Sequence, residues 1–247
     1  MSGRMSMIGD RVLTADEFLD ECIAFKRAQS PRSVFLRSLV LGKLTPEQLR
    51  AWAMDFYWYV EPAIPSIAAW LANAPTLPGR NLYKLIARNL AGEMGFIKEE
   101  EHHDLYLRFC AGLDISRDDL LASLPGPGTI GAACAVGSYC RSSFIEGLGA
   151  FGLAVELELP ETAGVAGMFA GALDKHYHID AKALEFWWVH VEAEDEHGKN
   201  ARDALLACGQ TLEQQALIRR AFRLSVLAHR GMREGYDRFL SMSSAAA

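Results

Sequence analysis

Apolar residues recur along most of the chain at intervals of three and four positions, which is the repeat of an α-helix. The clearest case follows Thr45, where one apolar stripe contains Leu49, Trp52, Phe56, Val60, Ile64, Ile67 and Leu71. β-Branched residues rarely alternate with polar ones, and no Asn-Gly or Asp-Gly pair separates two apolar runs. Signals for β-strands are therefore almost absent. The pattern predicts an all-α protein.

Capping residues and helix breakers divide this pattern into seven or eight helices. Thr14 to Glu17 and Thr45 to Gln48 are capping boxes that open two of them, and Pro62 and Pro65 predict a bend in the second. Further helices are expected over residues 81–93, 99–113, 130–158, 161–175, 180–208 and 211–240. No linker or repeat divides the chain, so we expect one domain over residues 1–247 with a disordered tail at about residues 241–247.

Charge and cysteine content exclude several classes of protein. The 247 residues carry a net charge of −6 and their Lys and Arg residues are scattered, so no nucleic-acid partner is expected. No stretch approaches the roughly 20 uninterrupted apolar residues that span a bilayer, so no membrane partner is expected. The five cysteines never adopt Cys-x-x-Cys spacing, which disfavours a disulfide framework or a zinc-thiolate site. We expect a reduced, cytoplasmic protein.

The helix expected over residues 180–208 carries the most informative chemistry. His190, Glu194 and His197 lie in the middle of one stripe, which is apolar at both ends. Burying these three side chains without partners would cost several kcal/mol. A metal ion is a compensation that uses all three. The alternatives are a hydrogen-bonded core network, or a helix turned so that the histidines meet water.

Other helices offer candidate ligands on inward-facing stripes, namely Glu93, His102 and Glu156. Together with the previous three they give a set of oxygen and nitrogen ligands without thiolate, which suits two iron ions. A mononuclear iron site needs only one carboxylate and two histidines, and would leave the other candidates buried without a role. Structural zinc is the weaker choice, because a tetrahedral site has no use for six ligands.

A second arrangement uses some of the same residues. Two Glu-x-x-His pairs together with single glutamates from two further helices satisfy the ferritin-like di-iron pattern. Its ligands would be Glu61, Glu99, His102, Glu156, Glu194 and His197. This scheme leaves His190 unused and gives Glu93 no role, so we rank it second.

A family resemblance covers nearly the whole chain. Its motifs, in order, are Asn89-Leu90-x-x-Glu93, His102-x-x-Leu-x-x-Arg-Phe, Ala154-x-Glu156-x-x-x-Pro160 and Leu184-Glu185-Phe186-Trp187-x-x-His190-x-x-x-Glu194-x-x-His197. This sequence resembles the haem-oxygenase-like di-metal oxidases and oxygenases. The resemblance implies a single-domain haem-oxygenase-like bundle that binds no haem and holds two iron ions (Fe²⁺), with dioxygen as co-substrate. The family's ligand positions match Glu93, His102, Glu156, His190, Glu194 and His197.

Relatives on the same scaffold are thiaminase II-like, pyrroloquinoline-quinone synthase-like and 4-aminobenzoate synthase-like proteins. The first use a nucleophilic Cys where this chain has residues 149–158, which contain none. The last use a Lys and a Tyr of their own as substrates. Residues 157–174 here contain no Lys and residues 22–48 no Tyr, so an external substrate is implied.

The expected function is therefore that of a non-haem di-iron enzyme. It would use dioxygen to oxidise, desaturate, cleave or N-oxygenate a small organic substrate such as an amino acid, an amine or a fatty acid. An electron donor and a homodimer stay open as partners, and a non-catalytic iron-binding or regulatory protein is the alternative. Pocket candidates are Tyr57, Glu61, Tyr139 and Phe144.

Overall fold

The computed structural model describes residues 10–30, 32–75, 80–97, 100–157, 165–192 and 202–242. Within these ranges the regular structure is entirely helical, as the sequence predicts. No helix in them is long and apolar enough to cross a membrane. None of the cysteines is paired in a disulfide in this part of the chain. Residues 243–247 of the expected tail lie outside the described residues.

The first half of the chain contains seven helices in its described ranges. They are α1 (Ala15–Ala28), α2 (Val34–Val40), α3 (Pro46–Val60), α4 (Ala63–Ala72), α5 (Arg80–Glu93), α6 (His102–Ala111) and α7 (Arg117–Ala122). Both expected capping boxes are present, at Thr14 and Thr45. The expected bend is a break between α3 and α4, where Pro62 lies at the N-cap of α4.

The second half continues in the same way. Its segments are α8 (Pro127–Ser142), α9 (Phe144–Gly147) running into a π-helix (Leu148–Leu153), α10 (Val165–Tyr177), α11 (Glu185–Glu192), α12 (residues 202–208), α13 (Leu212–Gly235) and a 3₁₀-helix (Tyr236–Ser241). The described ranges thus contain more helical segments than the seven or eight expected. The short helices α2 and α7 were not anticipated, and the helix expected over residues 130–158 is broken.

Ser143 breaks the helix expected over residues 130–158, so that expectation is wrong. Its backbone is extended, with φ −162° and ψ 162°, and its hydroxyl accepts a hydrogen bond from the Glu146 N–H at 3.1 Å. The buried Glu146 carboxylate accepts from the Ser142 hydroxyl at 2.6 Å and pairs with Arg220 at 3.1 Å. Ser143-x-x-Glu146 is a helix-start signal inside an otherwise apolar segment.

The core consists of two clusters of buried side chains. One gathers around Trp52, Tyr106, Phe109 and Trp187, and the other around Trp70, Phe144, Phe151 and Phe222. Helix α13 packs along α8 and against the π-helix. A Cβ added at Gly149 would lie 2.4 Å from the carbonyl oxygen of Ile218, so the π-helix approaches α13 more closely than any other residue type allows.

Candidate metal centre

Three of the candidate ligands meet at one place. Glu93 ends α5, His102 begins α6 and His190 lies in the last turn of α11. One potential ligand atom from each lies within 4.8 Å of the other two. Helix α5 turns Leu82 and Ile86 into the core, and Glu93 follows them at helical spacing. The apolar stripe of α5 thus directs a carboxylate towards two histidines that are distant in sequence.

The cluster is close and largely removed from water. His102 Nδ1 lies 3.0 Å from Glu93 Oε2, and the two side chains are 9% and 16% exposed. The ring centroids of His102 and His190 are 4.8 Å apart. A carboxylate oxygen and two imidazole nitrogens at such distances are a ligand combination that suits divalent iron.

The protonation of His190 is fixed by its surroundings. Its Nδ1 lies 2.6 Å from the carbonyl oxygen of Phe186, so Nδ1 carries the hydrogen and donates it, while Nε2 keeps its lone pair. Burial lowers the pKa of His190, and the charge of Glu93 partly opposes this effect. The imidazole is therefore held neutral, in the form that binds a metal.

Glu156 lies beside the same centre. It follows the π-helix after Ala154 and Val155, and the N–H groups of Val155 and Glu156 both donate to the Phe151 carbonyl, at 3.0 and 3.1 Å. Glu156 lines the same cavity as Glu93, His102 and His190, and its charge also raises the pKa of His190. The residues present therefore fit an iron centre, with Glu156 as a fourth nearby donor.

The other candidate ligands are placed differently. Glu194 and His197 lie outside the described residues, as does Glu99. Glu61 is exposed and ends α3, and it does not line the cavity into which the three clustered side chains point. The six-residue ligand set stays a prediction. Four of its six members line one cavity.

A large cavity of about 1000 Å³ opens beside the centre. Its walls include Trp52 and Trp187 from one core cluster and Phe151 and Val226 from the other, so it lies between the two. Its volume is in the range of cavities that hold small organic ligands. The charged side chains that line it are mostly cationic, namely Lys26, Arg37, Arg88, Arg230 and Arg233, against Glu93 and Glu156.

The expected pocket residues need correction. Tyr57, Glu61 and Tyr139 do not line the large cavity, and Phe144 lines a much smaller one next to Glu156. The cavity is lined instead by the α3 stripe that contains Trp52, Phe56 and Tyr59. Successive residues of a helix are rotated by about 100°, so Tyr57 faces away from this stripe and contacts Trp58 and His103.

A buried tyrosine–histidine pair was missed in the sequence. The Tyr59 hydroxyl lies 2.6 Å from His229 Nε2, and His229 Nδ1 lies 2.7 Å from the Ser225 carbonyl. Nδ1 therefore donates to Ser225, and Tyr59 donates to Nε2. Burial and the charge of Arg233 lower the pKa of His229 to about 3, and burial raises that of Tyr59. The available signal was a histidine at helical spacing from Phe222 and Tyr236.

The sequence comparison decides the family. Residues 50–230 match a family of iron-containing redox enzymes of the haem-oxygenase-like group. This stretch is more than half of the chain and includes Glu93, His102, Glu156 and His190. The chain belongs to this family. The resemblance inferred from the motifs is thereby confirmed, and iron is the metal that the family's description gives.

Matches to solved structures of similar fold cover almost the whole of this chain. A TenA homologue from Pseudomonas syringae is 18% identical with a TM-score of 0.72, and the match covers 95% of this chain and 98% of that one. A domain of unknown function with a haem-oxygenase-like fold from Shewanella denitrificans is 16% identical with a TM-score of 0.74, covering 96% and 99%. A CADD-like protein of unknown function from Nostoc punctiforme is 14% identical with a TM-score of 0.70, covering 90% and 98%.

These similarities show the haem-oxygenase-like fold, and at such low identity they show no more than the fold. No curated protein matches the chain significantly.

Proposed function

We propose that this protein is a non-haem di-iron enzyme that uses dioxygen to oxidise a small organic substrate bound in the large cavity. The observation that carries the proposal is the cluster of Glu93, His102 and His190 in the wall of a largely apolar cavity. An iron centre that opens into a largely apolar cavity is suited to oxidising an organic molecule that binds there.

The described residues would hold iron through Glu93, His102, His190 and Glu156, and Glu194 and His197 would complete the set. Carboxylates are suited to two neighbouring cations because one carboxylate can bridge them. Iron bound there would supply the dioxygen chemistry. The carboxylates of the centre would compensate the positive charge of the bound iron. The bound cation would in turn offset the cost of burying those carboxylates.

Neighbouring residues hold the centre in shape. The Phe186 carbonyl fixes the tautomer of His190, and the Phe186 ring packs on the same imidazole with centroids 4.6 Å apart. Trp187 packs against Phe186 at 5.1 Å and stacks on Phe56 at 5.9 Å. This aromatic packing restricts the orientation of His190.

Iron binding by variants tests the ligand scheme against the ferritin-like one. His190→Ala should lose at least one of the two irons after anaerobic loading, because the haem-oxygenase-like scheme makes it a ligand. Glu99→Ala should keep both, because that scheme gives Glu99 no role. Loss of iron in Glu99→Ala with full retention in His190→Ala would favour the ferritin-like arrangement.

Dioxygen uptake distinguishes an enzyme from a non-catalytic iron-binding protein. The ferrous protein should consume dioxygen faster in the presence of particular small molecules from a metabolite mixture, and the consumption should be matched by a changed metabolite. Iron-loaded protein whose uptake is indifferent to every fraction of the mixture would support a regulatory or storage role.

A further inference from the structure

The cavity contains a second polar corner, which none of the candidate ligands uses. Arg233, on α13, lines the cavity and is half-buried. Within the described ranges its guanidinium takes part in no hydrogen bond or ion pair. Its charge acts on Tyr59, His229 and Tyr236, which also line the cavity. A cation is thus held beside the buried rings of His229 and Tyr236 and the half-buried ring of Tyr59, without a counter-ion from the described chain.

Tyr236 adds a hydrogen-bond donor to this corner. The residue is 2% exposed, and its buried hydroxyl finds no hydrogen-bond partner among the described residues. Leaving a buried hydroxyl without a partner is costly, and native structures rarely do so without a reason. A group from a bound molecule that accepts a hydrogen bond would satisfy it.

Two other cations of the cavity wall, Arg230 and Lys26, are engaged with the protein. Arg230 pairs with Glu234 at 3.0 Å and donates to the Gln29 side chain at 2.9 Å. Lys26 donates to the Leu157 carbonyl. Arg233 differs from these two residues because its donors remain available. Arg37 also has no side-chain partner among the described residues, but it is exposed, whereas Arg233 is half-buried. A guanidinium is well suited to bind a carboxylate through two parallel hydrogen bonds.

From these observations we propose that Arg233 and Tyr236 form a subsite for the carboxylate of the substrate, whose apolar part extends through the largely apolar cavity towards Glu93, His102 and His190. The ligand class is an organic carboxylate with an apolar body. The Arg233 guanidinium lines the cavity and has no carboxylate partner among the described residues, so the potential at this corner favours an anion. The inference deepens the proposed function, on which it depends for the reaction but not for the binding.

Competition between an acid and its neutral analogue tests the subsite in the wild-type protein. Phenylbutyrate and phenylbutanol share the same apolar body, and each is titrated against the neutral fluorescent probe N-phenylnaphthylamine bound to the full chain. Phenylbutyrate should compete about tenfold more strongly, since it alone can pair with Arg233. Equal competition, or none by the acid, would overturn the proposal.

Four variants locate the effect. Arg233→Gln should weaken the binding of phenylbutyrate about tenfold and leave the binding of phenylbutanol unchanged. Arg230→Gln removes the same charge from the same helix and should change the affinity for either compound by no more than about twofold. Tyr236→Phe should weaken the binding of phenylbutyrate by a smaller factor than Arg233→Gln does. Tyr106→Phe is its control, because that buried hydroxyl already donates to the Ala53 carbonyl at 2.7 Å and does not line the cavity. Equal losses of phenylbutyrate affinity in Arg233→Gln and Arg230→Gln would show that the acid responds to the overall positive charge of the cavity and would contradict a subsite.

The same titrations on chelator-treated and on iron-loaded protein separate the subsite from the metal centre. Because no candidate iron ligand belongs to the subsite, the preference for the acid should be present in both preparations. A preference confined to iron-loaded protein would place the carboxylate on iron and overturn the subsite. Failure to take up iron would disprove the proposed function and leave this test intact. If Arg233→Gln does not fold, the wild-type comparison and Tyr236→Phe decide.

Discussion

His102 and His103 are neighbours in sequence but face different surroundings. His102 is buried beside Glu93 and His190, whereas His103 is half-buried and its ring lies 5.9 Å from that of Tyr57. We therefore predict that His102→Ala loses iron, whereas His103→Ala retains the wild-type amount. Elemental analysis after anaerobic loading measures both. Equal iron in the two variants would remove His102 from the centre.

The buried His229 predicts a specific loss of stability in acid. Its pKa in the folded protein is about 3, against about 6.5 in an unfolded chain. Below about pH 6.5 the unfolded chain therefore binds a proton that the folded chain does not, so the free energy of unfolding falls as the pH falls through this range.

His229→Gln removes that linkage. Between about pH 7 and about pH 5 the wild type should lose about 2 kcal/mol more stability than this variant. Urea unfolding of both proteins at the two pH values measures the difference. His176→Gln removes an exposed histidine and should leave the wild-type pH dependence in place. Parallel pH profiles for wild type and His229→Gln would contradict the burial of a neutral imidazole.

The sequence predicts single residues well where a helical stripe carries them. Glu93, His102 and Glu156 continue apolar stripes, so their inward direction follows from the helical period. The Tyr59–His229 pair and the corner at Arg233 and Tyr236 could not be predicted in this way. They depend on which face of α13 meets α3, and that is set by tertiary packing between residues about 170 positions apart in the chain.

At the scale of elements, the π-helix over Leu148–Leu153 positions Glu156. Its backbone reaches α13 at Gly149, where an added Cβ would lie 2.4 Å from the Ile218 carbonyl oxygen. Gly149→Ala should therefore lower the free energy of unfolding by about 1–3 kcal/mol or more, as overpacking does.

Gly131 is the matched control, because it lies exposed in α8 and nothing stands within 4 Å of its added Cβ. Gly131→Ala should raise stability by about 0.5–1 kcal/mol through helix propensity. Thermal or urea unfolding of the two variants compares them. A Gly149→Ala variant as stable as Gly131→Ala would show that the π-helix does not depend on this close approach.

Element boundaries follow from sequence where the signal is local. Thr14 and Thr45 begin helices because their side chains and those of Glu17 and Gln48 satisfy the first backbone groups. The break at Ser143 has an equally local signal, but its apolar surroundings favour one continuous helix. The helix start at this break is also stabilised by the ion pair between Glu146 and Arg220 of α13, and no local sequence pattern indicates that contact.

On the scale of the whole molecule, the consecutive helices α5 and α6 meet the distant helix α11 at one centre, with Glu156 beside it. The motifs predict the fold because their order along the chain resembles that of a family, and the family match confirms it. The cavity of about 1000 Å³ could not be predicted from the sequence. Its volume is the space left between the two packed core clusters, and no sequence motif specifies the size of that space.

The central claim is that this cluster holds iron, and iron stoichiometry tests it most directly. The full chain is loaded with ferrous iron under anaerobic conditions, excess metal is removed, and iron per chain is measured by elemental analysis alongside a Glu93→Gln variant. We predict about two irons per wild-type chain and fewer in the variant, without haem absorption. Saturation of the wild type at one iron or none, or equal iron in the two proteins, would contradict the account.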